Sequence, residues 1–295
     1  MKILVTGGCG FIGSNLVKRL KQQDFYVKTI DIKPEADYSF DISVAKNFEL
    51  IDESFDIIYH LGAQSGGYRS LTEPELDLDW NAKGTLNVCT YAKHNDIKKI
   101  IYTSTMATYG EGDWLSENSE LKPLSNYGVS KLYGELCLKQ FSQYGINYTI
   151  FRVFNTYGPG QNLTNGMQGV VAVFLSQILK GPQINVTGSL KRYRDLTYID
   201  DNINALLLGL SDVTNNEVYN VCSQNKIYIE DIIRNLIKIS NKPYEYYNIT
   251  NVGNHDGDQF GNTGTNTKLK QLGWEPKTNL EEGLKHFYNY AKNII

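Results

Sequence analysis

Residues 2–13 read KILVTGGCGFIG, and this stretch constrains the fold of the whole chain. Its first part, Lys2 to Thr6, is short, apolar and rich in β-branched residues, which predicts a strand. A glycine-rich run follows at once, and apolar residues then recur at helical spacing at Ile12, Leu16 and Leu20. The stretch therefore predicts a strand, a tight turn and a helix, in that order.

The same alternation continues over the following residues. Further strands are predicted at Tyr26 to Ile30, Ile57 to His60, Lys99 to Thr103 and Tyr148 to Val153. Helices are predicted at Val44 to Leu50, Asn81 to His94 and Tyr127 to Tyr144. Parallel strands need long crossovers, and helices between them supply those crossovers. We therefore expect an α/β fold with a doubly wound, Rossmann-like parallel sheet.

The composition changes after Asn155, where NTYGPGQNLTNG is rich in Gly, Pro and Asn and predicts a loop at a domain seam. We expect a dinucleotide-binding domain over residues 1–157, with a return segment near 194–222. Residues 158–295 are expected to form a smaller α/β lid domain. The lid would cover the carboxyl edge of the sheet, where open α/β sheets bind their ligands.

Composition argues against several classes of protein. The 29 Lys and Arg residues do not exceed the 32 Asp and Glu residues, so a basic nucleic-acid groove is not expected. The four cysteines form no CxxC pair and the four histidines no HxxxH pair, so no metal site is predicted. No apolar run approaches the ~18 residues of a membrane span, and the N-terminal apolar run is too short for a secretory signal. A cytoplasmic protein without a membrane partner is expected.

The glycines of the first turn have the spacing of a dinucleotide site. Gly8, Gly10 and Gly13 fit GxGxxG, and Gly7 adds another small residue. Glycines allow the backbone to approach a pyrophosphate, while the helix N-terminus offers N–H groups and a positive dipole end. The alternative is that these glycines only make a tight turn between strand and helix.

Asp31 lies 18 residues after Gly13, at the end of the second predicted strand. A carboxylate there accepts hydrogen bonds from both ribose hydroxyls and repels a 2′-phosphate. The sequence therefore predicts NAD as the cofactor. The nearby Lys33 leaves NADP open.

Tyr127 and Lys131 are four residues apart on a predicted helix, so their side chains share one face. An ammonium group beside a phenol stabilises the phenolate. Lowering the tyrosine pKa from ~10 to ~7 needs about 4 kcal/mol, which Lys131 and an oxidised nicotinamide together could supply. Tyr127 is therefore the predicted general base, in a chain that has 21 Tyr but only 4 His and 4 Cys.

Several motifs occur in an order that is more specific than any of them alone. They are TGGCGFIG at the start, HLGAQSG at 60–66, Asn81, YTSTMATYG at 102–110, NYGVSK at 126–131, FRVFNTYGPGQ at 151–161, YRDLTYIDD at 193–201 and LGWEPKTNLEEGL at 272–284. Over nearly its whole length the chain resembles the extended short-chain dehydrogenase/reductase family. Within that family it is most similar to the NAD-dependent nucleotide-sugar epimerases and dehydratases, UDP-sugar 4-epimerases above all.

The resemblance implies roles for individual residues. Thr105 would hydrogen-bond the reacting hydroxyl, although it could also be an ordinary threonine at a strand end. Lys131 would also donate a hydrogen bond to the nicotinamide ribose. The cofactor would be contacted by Gly7, Gly10, Phe11, Ile12, Gly13, Asp31, Asp41, Ile42, Leu61, Gly62 and Ala63, with Asn81 either structural or in contact with the cofactor.

On the substrate side, the resemblance places Asn155 and Arg194 at a nucleotide-diphosphate sugar, with Arg194 at the diphosphate. The alternative for Arg194 is a surface ion pair with Asp195. His255, in HDGDQ at 255–259, stands where the family usually has an arginine, while Asp258 retains the acidic residue of that motif. Diphosphate binding would then be weaker, pH-dependent or directed at a different head group.

A second departure concerns the reaction. Dehydratases of the family carry an acidic pair directly after the position of Thr105, where this chain has Met106 and Ala107. Neither side chain donates a proton, so dehydration is disfavoured, and the decarboxylase-like members, which also carry an acid there, are disfavoured equally.

The sequence thus predicts an NAD-dependent nucleotide-sugar epimerase that oxidises C4 and returns the hydride to the opposite face. The rival enzyme is an NAD(P)-dependent 4-keto-sugar reductase or dehydrogenase. A catalytically silent NAD sensor is a third possibility, but a sensor would be expected to lose the complete Thr105, Tyr127 and Lys131 set. The resemblance also predicts a homodimer that pairs the helices at Asn81 to His94 and Tyr127 to Tyr144. The sequence names neither the base nor the sugar.

Overall fold

The computed structural model describes residues 1–166, 169–253 and 259–295. The strands are β1 (Lys2–Thr6), β2 (Tyr26–Asp31), β3 (Tyr38–Ser39), β4 (Ile57–His60), β5 (Lys99–Thr105), β6 (Gly112–Leu115), β7 (Asn147–Val153), β8 (Asn155–Tyr157), β9 (Gln183–Val186), β10 (Tyr193–Arg194), β11 (Leu196–Tyr198), β12 (Glu217–Val221), β13 (Ile227–Tyr228), β14 (Asn248–Asn251) and β15 (Asn262–Gly264).

The α-helices are α1 (Phe11–Gln22), α2 (Gly67–Thr72), α3 (Pro74–Asp77), α4 (Gly84–His94), α5 (Asn126–Phe141), α6 (Val170–Lys180), α7 (Ile199–Leu208), α8 (Ile229–Ser240), α9 (Thr267–Gln271) and α10 (Leu280–Lys292). A π-helical segment, Leu78–Lys83, joins α3 to α4 without a break. Short 3₁₀ helices occupy Ala45–Leu50, Met106–Thr108, Ser142–Tyr144, Asp212–Thr214 and Tyr244–Tyr246.

The main sheet has seven parallel strands in the order β12-β7-β5-β4-β1-β2-β3. Strand β1 pairs with β2 on one side, where Ile3 lies opposite Val27, and with β4 on the other, where Ile3 lies opposite Ile57. The chain therefore changes direction across the sheet between β1 and β4, and doubly wound folds bind ligands outside such a point. The predicted fold class is confirmed.

The core lies on both faces of this sheet, because the side chains of each strand alternate between them. Ile3 and Val5 belong to the cluster beneath α1, together with Leu16 and Leu20 of that helix. Leu4 points into the second cluster, on the side of α4. Every residue of β5 is buried, as expected for a central parallel strand covered on both faces.

The structure refines three of the predicted helices. The segment Val44 to Leu50 is a 3₁₀ helix, and the helix predicted from Asn81 begins earlier and passes through the π-helical segment. The predicted Tyr127 to Tyr144 helix is α5 followed by a 3₁₀ turn. The return segment near 194–222 contains α7, which packs on α1, and β12, which extends the main sheet beside β7.

Short strands from the second half of the chain lie beside the carboxyl edge of the main sheet. Strands β9 and β14 pair in parallel, and β10 pairs antiparallel with β13. Among the residues that the structure describes, no helix has the length and apolar character required to cross a membrane.

Candidate active site

A cavity of about 840 Å³ lies at the carboxyl edge of the main sheet. It runs from the glycine turn after β1, past the ends of β4 and β5, to α6, β9 and β10. Its volume falls in the range of small-molecule and cofactor sites. The two halves of the chain therefore enclose one site.

Two glycines allow the first turn to close against its neighbours. Gly7 has a φ of +69°, and a Cβ added there would lie 2.7 Å from the backbone nitrogen of Gly62. A Cβ at Gly13 would meet the carbonyl oxygen of Gly7. The absence of side chains at both positions lets the glycine turn lie directly against the loop after β4 and lets the start of α1 lie against the turn.

Helix α1 begins at this turn without a side-chain cap. Gly10 occupies the N-cap position, and Phe11, Ile12 and Gly13 follow it along the cavity wall. The first amide groups of a helix have no partner within the helix, so they are available to an anion. This arrangement fits the pyrophosphate of a dinucleotide.

The carboxylate of Asp31 lies at the end of β2, in the cavity wall. Its Oδ2 accepts a hydrogen bond from the N–H of Cys9 at 3.0 Å, and its Oδ1 accepts one from the N–H of Lys33 at 3.2 Å. The ammonium group of Lys33 donates to the carbonyl oxygen of Cys9 at 3.0 Å. The carboxylate is therefore fixed beside the glycine turn, where an adenosine ribose would fit.

The remaining residues predicted to touch the cofactor fall into two groups. Asp41, Ile42, Leu61, Gly62 and Ala63 all line the cavity. Asp41 is held by the indole N–H of Trp80, at 3.1 Å from its Oδ2.

Asn81, by contrast, lies behind the wall and is fully buried. Its Oδ1 accepts the N–H of Gln64 at 2.7 Å, and its Nδ2 donates to Asp77 and Ser130. Of the two roles expected for Asn81, this placement favours the structural one.

Thr105, Tyr127 and Lys131 meet on one wall of the cavity. Thr105 ends β5, and its side chain faces the hydroxyl of Tyr127 closely enough to lower the pKa of that phenol as a hydrogen-bonding partner. Tyr127 lies in the first turn of α5, which is capped by Ser125 accepting the N–H of Gly128 at 3.2 Å. The ammonium nitrogen of Lys131, one turn further on, lies 4.1 Å from the centre of the Tyr102 ring.

Burial shifts the pKa values of two side chains on this wall. Burial raises the pKa of Tyr127 to about 12, the hydrogen bond with Thr105 opposes that rise, and the charge of Asp77 adds to it. Burial lowers the pKa of Lys131 to about 7, while the charges of Glu135 and Asp77 raise it. Among the protein's own groups, desolvation of the phenolate therefore outweighs the charges around it. The lowering expected from Lys131 and an oxidised nicotinamide together stays a prediction.

The two residues that replace the acidic pair also line the cavity. Met106 accepts a hydrogen bond at Sδ from the amide of Asn262 at 2.9 Å, and Ala107 donates its N–H to Thr105 at 3.2 Å. Met106 and Ala107 thus place no proton-donating side chain beside Thr105.

Arg192 and Arg194 line the far end of the cavity. Arg194 donates from Nη1 to the carbonyl oxygens of Tyr193 at 2.7 Å and Phe260 at 3.2 Å. Arg192 donates from Nη1 to the carbonyl oxygen of Thr187 at 2.7 Å. The sequence prediction missed Arg192, although its spacing of two residues from Arg194 is the spacing of side chains on one face of a strand.

The alternative of a surface ion pair between Arg194 and Asp195 is wrong, because both residues are buried. Asp195 instead accepts hydrogen bonds from the N–H and hydroxyl of Ser223 and from the N–H of Gln224, and burial raises its pKa to about 6. Asn155 lines the cavity, and its side chain donates to the carbonyl oxygen of Asp195 at 3.3 Å. His255 and Asp258 lie outside the described residues.

The charged groups of the described wall are arranged by sign. Asp31 and Asp41 are on the side of the glycine turn, Lys131 is in the middle, and Arg192 and Arg194 are at the opposite end. Guanidinium groups match phosphate oxygens in geometry and charge. The described wall of the cavity therefore has carboxylates at one end and guanidinium groups at the other.

Comparisons with known proteins agree with this geometry. The family model described as "NAD dependent epimerase/dehydratase family" matches residues 3–222. A putative UDP-glucose 4-epimerase of Methanocaldococcus jannaschii is 33% identical, over 99% of this chain and 98% of the relative.

Two crystal structures have the same fold along the whole chain. UDP-glucose 4-epimerase of Thermotoga maritima, solved with UDP-glucose, is 32% identical with a TM-score of 0.93, over 100% of this chain and 99% of that one. UDP-glucose 4-epimerase of Thermus thermophilus, in complex with NAD, is 26% identical with a TM-score of 0.91 and covers 100% of both chains.

Proposed function

The chain belongs to the NAD-dependent epimerase/dehydratase family, as its motifs predict, and from this premise we propose that it is a nucleotide-sugar 4-epimerase. NAD, the cofactor predicted from Asp31, is the cofactor of the family. The proposed reaction oxidises C4 of the sugar and then reduces the resulting ketone from the opposite face.

One observation carries the proposal. Thr105, Tyr127 and Lys131 lie together on the cavity wall, and the adjoining Met106 and Ala107 supply no acid. Such a site can move a proton on and off a carbinol oxygen, but it has no group at these positions to expel a neighbouring hydroxyl as water. Oxidation and reduction at one carbon fit it better than dehydration.

In this reaction Tyr127 is the base. Its phenolate takes the proton of the C4 hydroxyl while the hydrogen on C4 leaves with its electron pair, and Thr105 holds the C4 oxygen. NAD, when bound, would supply the acceptor and the donor of that hydride. Tyr127 then gives the proton back to the ketone oxygen. Burial raises the pKa of Tyr127 to about 12. The proposed role of Lys131 is to oppose this rise, because an ammonium group beside the phenol favours the phenolate.

The substrate is proposed to be a nucleotide-diphosphate hexose. Arg192 and Arg194 would bind the diphosphate and Asn155 the sugar. The relatives named above are UDP-glucose 4-epimerases, so UDP-glucose and UDP-galactose are the first pair to test.

The chain is also proposed to form a homodimer through α4 and α5. Val129, Tyr133 and Leu136 of α5 are exposed and spaced at helical intervals, and Leu86 of the adjacent α4 is exposed as well. A row of exposed apolar side chains on one helix face is a common basis for a subunit contact.

The test is to incubate the purified protein, with NAD, with a panel of UDP-, GDP- and dTDP-hexoses, and to resolve the products by chromatography. The proposal expects one pair of C4 epimers to interconvert without net change in NADH absorbance. Stoichiometric consumption of free cofactor would instead identify a 4-keto-sugar reductase or dehydrogenase. Binding of NAD with no turnover of any sugar would overturn the epimerase and point to a sensor.

A further inference from the structure

Asp77 lies directly behind the catalytic wall, at the end of α3. Its side chain is fully buried. It belongs to none of the motifs used above and does not line the cavity. A buried carboxylate costs free energy unless its oxygens are satisfied, so its partners indicate its role.

Three side chains close a hydrogen-bonded triangle there. The hydroxyl of Ser130 donates to Oδ2 of Asp77 at 2.6 Å, and Nδ2 of Asn81 donates to Oδ1 of Asp77 at 3.1 Å. Nδ2 of Asn81 also lies 3.1 Å from the hydroxyl oxygen of Ser130. Both partners are donors, which suits an ionised carboxylate, because a protonated one would bring a further donor.

Ser130 connects this triangle to the catalytic helix. It stands between Tyr127 and Lys131 on α5, and its hydroxyl lies 3.1 Å from the carbonyl oxygen of Tyr127. Asn81 connects it to the cavity loop by accepting the N–H of Gln64. The triangle therefore connects the π-helical segment to the loop after β4 and to the turn of α5 that carries Tyr127.

Asp77 also interacts electrostatically with Lys131 and Tyr127. The charge that acts on Asp77 is that of Lys131, and the charge of Asp77 in turn raises the pKa of Lys131 and of Tyr127. At Asp77 itself, burial has the largest effect and raises the pKa of the carboxyl group, while the hydrogen bond from Ser130 and the charge of Lys131 lower it.

The other groups that face Lys131 are Glu135 on α5, the Tyr102 ring on β5 and His60 on β4. The charge of Glu135 raises the pKa of Lys131 more than that of Asp77 does, but Glu135 is paired with Arg152, and the pKa of His60 is held far below neutrality. Asp77 differs from Glu135 in its partners. The described donors to Asp77, Ser130 and Asn81, are neutral, so no cation other than Lys131 is paired with its charge.

We propose that Asp77 is a positioning residue of the active site, which fixes Ser130 and Asn81 and contributes, with Glu135, to keeping Lys131 in its ammonium form. The inference rests on the proposed function, since it assigns Asp77 to the reaction of Tyr127. Loss of its charge should make Lys131 release its proton at lower pH. The activity that depends on the ammonium group should then disappear at lower pH as well.

The decisive variant is Asp77→Asn, which keeps the size of the side chain and removes its charge. Its control is Asp79→Asn, two residues away, where the aspartate is exposed and paired with Lys83. The alkaline limb of the kcat/KM profile of Asp77→Asn is expected to move down by about one pH unit, with activity at pH 8 reduced about tenfold and activity at pH 6 closer to the parent. The Asp79→Asn profile should match the parent.

NAD binding gives a readout that needs no sugar. Affinity for NAD should fall as Lys131 loses its proton, and in Asp77→Asn this fall should begin about one pH unit lower. If the sugar panel shows no turnover, the proposed function fails, while this titration still tests Asp77. The proposal would be overturned if Asp77→Asn lost kcat/KM and NAD affinity equally at every pH, with the alkaline limb of each profile at the same pH as in the parent.

Ser130→Ala separates position from charge, because it leaves the carboxylate in place. It should lower kcat at nearly unchanged KM and leave the alkaline limb where it is. If Asp77→Asn does not fold, this variant decides the positioning role on its own, and an unchanged kcat overturns it.

Discussion

Glu135 and Arg152 form a bidentate ion pair in the interior, with Nε–Oε1 at 2.9 Å and Nη2–Oε2 at 2.7 Å. The pair joins α5 to β7 behind the catalytic wall, and Ser104, the neighbour of Thr105, donates to the same carboxylate. Both charged side chains are almost completely buried. Removing one partner of such a pair leaves an uncompensated charge in the interior.

Glu135→Gln should therefore lower the free energy of unfolding by about 3–5 kcal/mol, measured by urea denaturation at pH 7.5. The matched control is Glu73→Gln, which removes the exposed Arg69–Glu73 pair on the surface. That control should change stability by less than about 1 kcal/mol. Equal effects of the two variants would contradict the importance of burial at Glu135.

Asp31 should determine which dinucleotide the chain accepts. Asp31→Asn removes the charge that repels a 2′-phosphate, so the ratio of NADP to NAD affinity should rise about tenfold or more. Fluorescence titrations with the two cofactors measure this ratio. Glu35→Gln removes an exposed charge four residues away and should leave it unchanged. An unaltered ratio in Asp31→Asn would show that Asp31 does not select the cofactor.

Tyr127→Phe should remove the base and keep the shape of the site. Since positioned general acids and bases contribute about 10²–10⁴-fold, kcat should fall by that factor, while NAD binding survives. Tyr133→Phe is the control, because Tyr133 lies on the same helix and is exposed. Steady-state rates on the substrate found in the panel give the comparison. A Tyr127→Phe enzyme within threefold of the parent rate is not compatible with the assigned role.

Much of the fold and of the candidate cofactor site was predictable because local patterns encode it. The strand, glycine turn and helix at the N-terminus lie within residues 2–22. The four-residue spacing of Tyr127 and Lys131 likewise needs only one helix turn.

Other features were not predictable, because they depend on residues that are distant in sequence. Asp77 and Ser130 are 53 positions apart, and no local spacing joins them. The direction of the Tyr127 pKa follows from burial, which a sequence pattern does not measure. Strand β12 belongs to the main sheet through its pairing with β7, where Glu217 lies opposite Thr149, 68 positions earlier in the chain.

Leu136→Glu tests the proposed dimer. A charge in the middle of the exposed row on α5 should prevent the contact, so light scattering after gel filtration should change from the mass of two chains to that of one. Val213→Glu places the same charge at another exposed apolar residue, and it should leave the mass unchanged. A parent protein with the mass of one chain would remove the dimer from the proposal.

His60 should make the protein sensitive to acid. Its ring lies between the hydroxyls of Thr6 and Thr85, with Nδ1–Oγ1 at 2.7 Å and Nε2–Oγ1 at 2.9 Å. Burial, with a further contribution from the charge of Lys131, lowers its pKa from 6.5 to about 3. Between these two pH values the unfolded chain binds a proton that the folded chain does not. The stability that this group contributes is therefore present above pH 6.5 and is lost progressively as the pH falls towards 3.

The measurement is the free energy of unfolding in urea at pH 7.5 and pH 5.0. The parent should lose about 2 kcal/mol more between these values than His60→Gln, because a neutral side chain carries no such linkage. His94→Gln, at an exposed position, should lose as much as the parent. If the losses of His60→Gln and the parent are equal, protonation of His60 does not limit stability in acid, and the carboxylates must account for the whole pH dependence.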